Sequence, residues 1–260
     1  MLSWLFPKKE INKEEIQKTF HTEDFTNVQP IADYFKNLSG VTFDKQLSIL
    51  ESKIKSFCRH RNIYSYEELY EKMIRDENLK QDLINHLTTN ETFFYREFAQ
   101  IAELVELIKK ESSHVSILCA PCATGEESYS IAIALLEAGI SKNDFDILGI
   151  DINSEAIEKA KMAIYRERNI KNLSEQVLSK YFYQNDDKFE LKDEIKNLVH
   201  FKVINIFDPS FSTIGKFDYI FSRNMLIYFD MPTKQKAKQI LESIRKDNKK
   251  EIFFGHADLF

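Results

Sequence analysis

No loop in this 260-residue chain is rich enough in glycine to cradle a pyrophosphate: there are six glycines, and no loop holds more than one. Apolar runs are short as well, none nearing the ~20 residues a membrane-spanning helix needs. The opening, residues 1–6 before Pro7-Lys8-Lys9, is too short for a secretory signal. Positive charge is not in excess. Lysine and arginine number 36 against 41 acids, a net charge of −5, which argues against broad nucleic-acid binding. Cysteines number three, an odd count in a long chain, which points to a reducing compartment. Cys119 and Cys122 form a CxxC, readable as a redox pair or half a zinc site. No second CxxC or histidine pair stands at ligand spacing, so no metal is expected. The length suits one main domain and a smaller one.

What is present centres on residues 115–127. A short apolar strand (115–119) leads to a loop with one glycine, Gly125, and then to Glu126 and Glu127, an acidic start to the amphipathic helix expected at 128–137. Farther on, the apolar run 145–150 ends in Asp151. Strand, glycine turn, helix and a carboxylate at the tip of the next strand describe a nucleoside-binding βαβ unit. Glycine lets the loop backbone approach a ligand, and Asp151 is able to accept hydrogen bonds from both ribose hydroxyls. Two glutamates at the helix start suit the helix dipole but would repel a phosphate. The expected ligand therefore has a ribose, no phosphate and some positive charge, which describes S-adenosylmethionine. The alternative is a capped helix beside a solvent-facing aspartate.

The chain divides near residue 88. Residues 1–30 form a polar arm without sustained period. Residues 31–87 show helical stripes (Leu47, Leu50, Ile54, Phe57 and Cys58; Leu69 and Met73; Leu83 and Leu87) and read as a small helical domain. Residues 88–114 read as a linker helix. From 115 to 260, strand-like runs at 115–119, 145–150, 200–205, 217–221 and 251–255 alternate with helical ones, indicating an α/β fold with a parallel, doubly wound sheet. Between the second and third runs, residues 181–191 place two aromatic-rich segments around Asn185-Asp186-Asp187. They read as a β-hairpin at the sheet's edge, within a β-subdomain near 181–200.

Six segments in order, TTNETFFYRE (88–97), CATGEESYSIAI (122–133), GIDINSEAIEKA (149–160), IYRERNIKNLSEQVLSKYF (164–182), FDYIFSRNMLIYFD (217–230) and EIFFGHADLF (251–260), resemble successive motifs of the CheR family, the chemotaxis receptor glutamate O-methyltransferases. The resemblance runs from about residue 40 to the end. It implies a Rossmann-like class I methyltransferase domain, a helical N-terminal domain, a small β-subdomain and S-adenosylmethionine as methyl donor. Its implied partners are glutamates on the cytoplasmic helices of chemoreceptors, and its implied location is the cytoplasm. By motif, Asn90, Thr92 and Arg96 match linker residues facing the cofactor and the reacting centre. Glu126 matches the loop acid and Asp151 the ribose-binding acid. Asn205 with Ile206, and Asn224 with Met225, match the adenine and methionine-side contacts, and Tyr228 matches the aromatic near the transferred methyl.

The chemistry agrees with these roles. A glutamate carboxylate is already ionised at neutral pH, so it needs alignment and desolvation and no general base. Arg96 could hold such a carboxylate by two parallel hydrogen bonds. As ordinary residues, Arg96 would pair with Glu91 or Glu97, Asn90 would cap a helix, and Tyr228 would join the core; Phe93 and Phe94 are read as core, and Arg223 as a structural partner of Asn224. The window 45–61 carries Lys45, Lys53, Lys55, Arg59 and Arg61 against one acid, Glu51, and reads as a basic helix face. The resemblance implies that this face docks a glutamate-rich helix, with Lys53 and Arg59 at substrate-facing positions.

Four departures from the family pattern stand out. Lys53 replaces an arginine, and Gln184 stands where some members carry a second cation. The hairpin turn lacks the glycine loop of members that bind a receptor's C-terminal pentapeptide, so no tether is expected. The sequence reaches Phe260 at about its fifth strand, before the family's usual final antiparallel pair, so an exposed edge is expected. A nucleic-acid methyltransferase would share the sheet, but Ser222-Arg223-Asn224-Met225 lacks the Pro-Pro-aromatic pattern that grips a flipped base. A non-catalytic cofactor-binding or scaffolding protein would lose Arg96 and Tyr228, which are present.

Overall fold

The structure is a computed structural model describing residues 23–43 and 46–258. Most of the expected polar arm (residues 1–22) and Lys45 of the basic window lie outside the described residues. Four helices form the N-terminal region: α1 (Gln29–Ser39), α2 (Leu47–His60), α3 (Tyr66–Met73) and α4 (Glu77–Leu87). Their apolar stripes meet in one core containing Ile31, Phe35, Leu50, Ile54, Phe57, Leu69, Met73, Leu83 and Leu87. Leu47, expected in that stripe, is exposed at the first turn of α2. The Ser65 hydroxyl and the Asp76 carboxylate accept from first-turn N–H groups of α3 and α4, satisfying donors the helices leave open. Helix α1 begins inside the segment expected to be arm, with Pro30 in its first turn.

The expected linker helix is much shorter. Only α5 (Phe98–Ile108) is helical, while 88–97 is irregular, with Tyr95 and Glu97 at φ 56° and 49°. The cause lies in where the backbone bonds. Phe94 N–H donates to the Asn169 carbonyl at 2.8 Å and Tyr95 N–H to the Ser130 hydroxyl at 3.0 Å, so this stretch is tied to its neighbours and not to itself.

The remaining elements are β1 (Val115–Cys119), α6 (Glu126–Glu137), β2 (Phe145–Asp151), α7 (Ser154–Met162), β3 (Ile164–Arg166), α8 (Glu167–Ile170), α9 (Glu175–Tyr181), β4 (Phe182–Asn185), β5 (Lys188–Leu191), α10 (Asp193–Lys196), β6 (Val199–Val203), β7 (Tyr219–Ser222), α11 (Met231–Ser243) and β8 (Ile252–Phe254). The main sheet has the order β6-β2-β1-β7-β8, and every pairing is parallel. Every residue of β1 is buried, as a central strand covered on both faces must be. Connections run one way from β1 through β2 to β6 and the other way through β7 to β8. The carboxyl ends of β1 and β7 therefore flank a switch point, where ligand clefts form. The molecule has a Rossmann-like α/β fold.

The hairpin is present but is not an extension of the main sheet. Strands β4 and β5 join β3, unforeseen in the sequence, in a separate antiparallel sheet of order β3-β5-β4. Its aromatics explain the placement: Tyr165 and Phe182 pack edge-on against the fully buried Phe94 at 4.9 and 5.4 Å, docking the small sheet on the 88–97 segment. Asp186 takes the left-handed turn position, φ 53°, that glycine would otherwise fill.

Candidate functional site

A cavity of about 340 Å³ opens at the carboxyl ends of β1, β2 and β7, walled by 88–97 on one side and by the loop after β7 on the other. The fold brings most of the expected residues to it. Asn90, Thr92 and Arg96 line it from the irregular segment, and Asp151 from the tip of β2. Asn205 and Ile206 follow β6, and Asn224, Met225 and Tyr228 follow β7. Phe93, expected in the core, is half-buried and lines the cavity, with the Arg96 guanidinium 5.7 Å from its ring centre.

Asp151 is 5% exposed. Its Oδ2 accepts the Ala123 N–H at 2.9 Å and its Oδ1 the Asn153 N–H at 2.8 Å. Burial pushes its pKa up from 3.8 to about 6, against the pull of these N–H groups. Each oxygen keeps a lone pair, so the pre-set carboxylate has capacity for two more donors. The loop before it turns tightly. Gly125 has φ 91°, and a Cβ there would stand 2.9 Å from that of Ala160 and 3.1 Å from Phe201. A side chain would be strained by the backbone and crowded by its neighbours.

Of the two glutamates opening α6, the one facing the cavity is Glu127, not the expected Glu126. Glu126 is fully buried elsewhere, its oxygens accepting from the Thr124 hydroxyl at 2.6 Å and the Asn169 amide at 2.8 Å. Helix α6 begins at Glu126, two residues before the expected start, and the turn of about 100° per residue sends neighbours in different directions. Glu127 lines the cavity with Oε2 3.1 Å from Nε of Arg223. Its Oε1 is buried with no hydrogen-bond partner among the described residues. Burial raises its pKa, and Arg223 opposes the rise.

Arg223 is 5% exposed and donates to the Arg96 carbonyl at 2.6 Å, fixing the backbone at the point where the chain passes between two left-handed residues. Arg96 itself spends one Nη1 bond, at 2.9 Å, on the Glu91 carbonyl. Asn205 is held at both ends of its amide, donating to the Leu38 carbonyl at 2.6 Å and accepting from Phe207 N–H at 2.9 Å. It braces that wall of the cavity against α1. Tyr228 is 37% exposed at the mouth, and its carbonyl accepts Thr42 N–H at 2.9 Å.

The two basic docking residues part company. Lys53 lines the cavity and donates to the Leu87 carbonyl at 3.3 Å, while Arg59, six residues on, is outside that lining and paired with Glu23 by bonds of 3.0 and 2.8 Å. Six residues along a helix amount to a rotation of about 240°, so the two cannot share one face. Cys119 and Cys122 are buried free thiols, and among the described residues no group of three potential metal ligands occurs.

The residues fit S-adenosylmethionine. Asp151 offers acceptors to a ribose, the unpartnered Glu127 oxygen offers one to an ammonium, and Ile206 and Met225 give an apolar wall for a base. Residues 90–260 match the family described as CheR methyltransferase, SAM binding domain. The chain is 40% identical over 224 residues to a chemotaxis protein methyltransferase of Campylobacter jejuni (strain 81-176), covering 85% of this chain and 84% of that one. It is 34% identical over 186 residues to the chemotaxis protein methyltransferase of Escherichia coli K12, covering 69% and 64%. With a matching domain over residues 90–260 and a nucleoside site of the right chemistry at its switch point, the chain belongs to the CheR methyltransferase family and uses S-adenosylmethionine.

Proposed function

We propose that the protein transfers the methyl of S-adenosylmethionine to glutamate side-chain carboxylates on the cytoplasmic helices of chemoreceptors, forming methyl esters. The observation that carries this reading is the cavity's chemistry at the reacting end. Arg96 supplies a guanidinium there, and among the described residues no histidine lines the cavity. A glutamate needs no base, because it arrives ionised. A hydroxyl or amine acceptor would need a proton removed, and the two lining carboxylates with raised pKa, Asp151 and Glu127, are engaged by the cofactor in this reading.

When bound, S-adenosylmethionine would supply an electrophilic methyl on sulfur for the carboxylate oxygen, with S-adenosylhomocysteine as the leaving product. The protein's part is positioning. Asp151 would accept the ribose hydroxyls and Glu127 the ammonium. Arg96, its backbone held by Arg223, has N–H groups left to orient the incoming carboxylate. Tyr228 at the mouth would shield the reacting atoms from water. Lys53 at the rim favours an acidic segment.

The names of the C. jejuni and E. coli relatives support a chemotaxis role. No described helix is long and apolar enough to cross a membrane. The two-aspartate turn between β4 and β5 supports direct recognition of the methylated region without a receptor tether. The test is methyl transfer to isolated receptor membranes. Label on the receptor that is released by mild base supports the reading; label on another class of acceptor overturns it.

A further inference from the structure

We infer that Asp258 is a positioning residue for the cofactor site, holding from outside the cavity the loop that carries Asn224, Met225 and Tyr228. Asp258 ends the short 3₁₀ turn His256–Asp258 after β8 and is 1% exposed. Its carboxylate accepts three backbone N–H groups. Oδ2 takes those of Asn224 and of Gly255, the latter at 3.2 Å, and Oδ1 takes that of Ile227 at 3.1 Å. Two of the three belong to the loop after β7, four of whose residues (224, 225, 227 and 228) line the cavity.

The loop's other ties are its own turn, with Tyr228 and Phe229 N–H donating to the Met225 and Leu226 carbonyls, and the bond from Thr42 N–H to the Tyr228 carbonyl. Ile227 and Tyr228 are 42% and 37% exposed, Leu226 is its buried anchor, and Asn224 sits at φ 58°, a region that side-chain-bearing residues populate only when neighbours enforce it. A carboxylate is costly to bury and is retained where it satisfies several donors at once. Gly255 completes the arrangement: a Cβ there would lie 2.9 Å from the Asn224 nitrogen and 2.9 Å from Asp258 Oδ2. Glycine at 255 thus allows the carboxylate to reach the loop. None of this touches the ligand directly; it fixes where Asn224 and Met225 stand.

The experiment compares Asp258→Asn, Gly255→Ala and Leu241→Ala by calorimetric titration with S-adenosylhomocysteine, each at the same interval below its own melting temperature. Leu241 is fully buried in the apolar cluster that contains Leu226 but belongs to α11, bonds to no loop N–H and does not line the cavity, and serves as a matched destabilised control. Asp258→Asn is expected to weaken binding at least about tenfold, as leaving buried donors unpaired does. It should also raise hydrogen exchange selectively in residues 222–229. Gly255→Ala, which keeps the carboxylate but displaces it, is expected to act in the same direction and carries the test if Asp258→Asn does not fold. Leu241→Ala should melt earlier yet bind within a few-fold of the parent. Wild-type affinity in both Asp258→Asn and Gly255→Ala, or an equal loss in Leu241→Ala, would overturn the assignment. Because the readout is ligand binding, the result stands apart from the identity of the methyl acceptor.

Discussion

Lowering the pH should uncouple the cofactor from its ribose ligand before it unfolds the protein. Asp151 is 5% exposed, and burial brings its pKa from 3.8 to about 6. Ribose hydroxyls donating to it would bind the ionised form, so S-adenosylhomocysteine should bind most tightly where Asp151 has lost its proton. At pH 5 roughly one free site in ten is ionised, and affinity should stand about tenfold below its value at pH 8, near 1.4 kcal/mol. The assay is calorimetric titration from pH 8 to pH 5 in two buffers of different ionisation heat. Near pH 6 the apparent enthalpy should depend on the buffer, because binding expels a fraction of a proton. Glu127 faces the same cavity with a raised pKa, so Asp151→Asn is the control that separates the two. In that variant the part of the step owed to Asp151, centred near pH 6, should vanish, leaving only what Glu127 contributes. A flat affinity in the parent, or a step of unchanged size in Asp151→Asn, would remove Asp151 from the role. The same displacement, about 3 kcal/mol, is a stability cost in the ligand-free protein at neutral pH. Since the folded state takes up this proton at higher pH than the unfolded chain does, the group's contribution becomes more favourable as pH falls from about 6 towards 3.8. The ligand-bound protein should lack that gain.

Arg96→Ala is expected to depress methyl transfer by two orders of magnitude or more while S-adenosylhomocysteine affinity stays within a few-fold, and matched losses would make Arg96 a cofactor ligand instead. Glu127→Gln should weaken cofactor binding by about 1.5–3 kcal/mol, the range for a hydrogen bond to a charged group, whereas Glu126→Gln should leave it nearly unchanged; titration of both variants decides which acid serves the site. Lys53→Glu should raise the apparent Michaelis constant for receptor in a way that weakens with added salt, screened over about 8–10 Å near physiological ionic strength. Arg59→Glu should do less, since Glu23 already opposes its charge. Equal effects in receptor-methylation assays would restore a single basic docking face.

The parts of the site that sequence alone located share one property: each sits at a strand end or inside a long motif. Asp151 closes an apolar run, and Asn224, Met225 and Tyr228 follow another, so alternation of strands and helices already placed them on the same edge of the sheet. What depended on helix phase was harder. Whether Glu126 or Glu127 faces the cavity turns on a two-residue difference in where α6 begins, and Lys53 and Arg59 look alike until the rotation between them is counted. The expected linker helix ran through 88–97, yet the N–H groups of Phe94 and Tyr95 bond to Asn169 and Ser130, partners far along the chain that local propensity does not register. Strand β3 is three residues long and paired only through a partner more than twenty residues downstream. Asp258 gave no sign in the sequence, because a carboxylate bonded to backbone N–H groups leaves no pattern of side chains to read.

Incubating the protein with tritiated S-adenosylmethionine and isolated chemoreceptor membranes, then treating the labelled receptor with mild base, decides whether a receptor glutamate is the methyl acceptor. Glutamate methylation requires label on the receptor that leaves as volatile methanol, and its loss with Arg96→Ala. Base-stable label, or none on receptor despite intact cofactor binding, would contradict it.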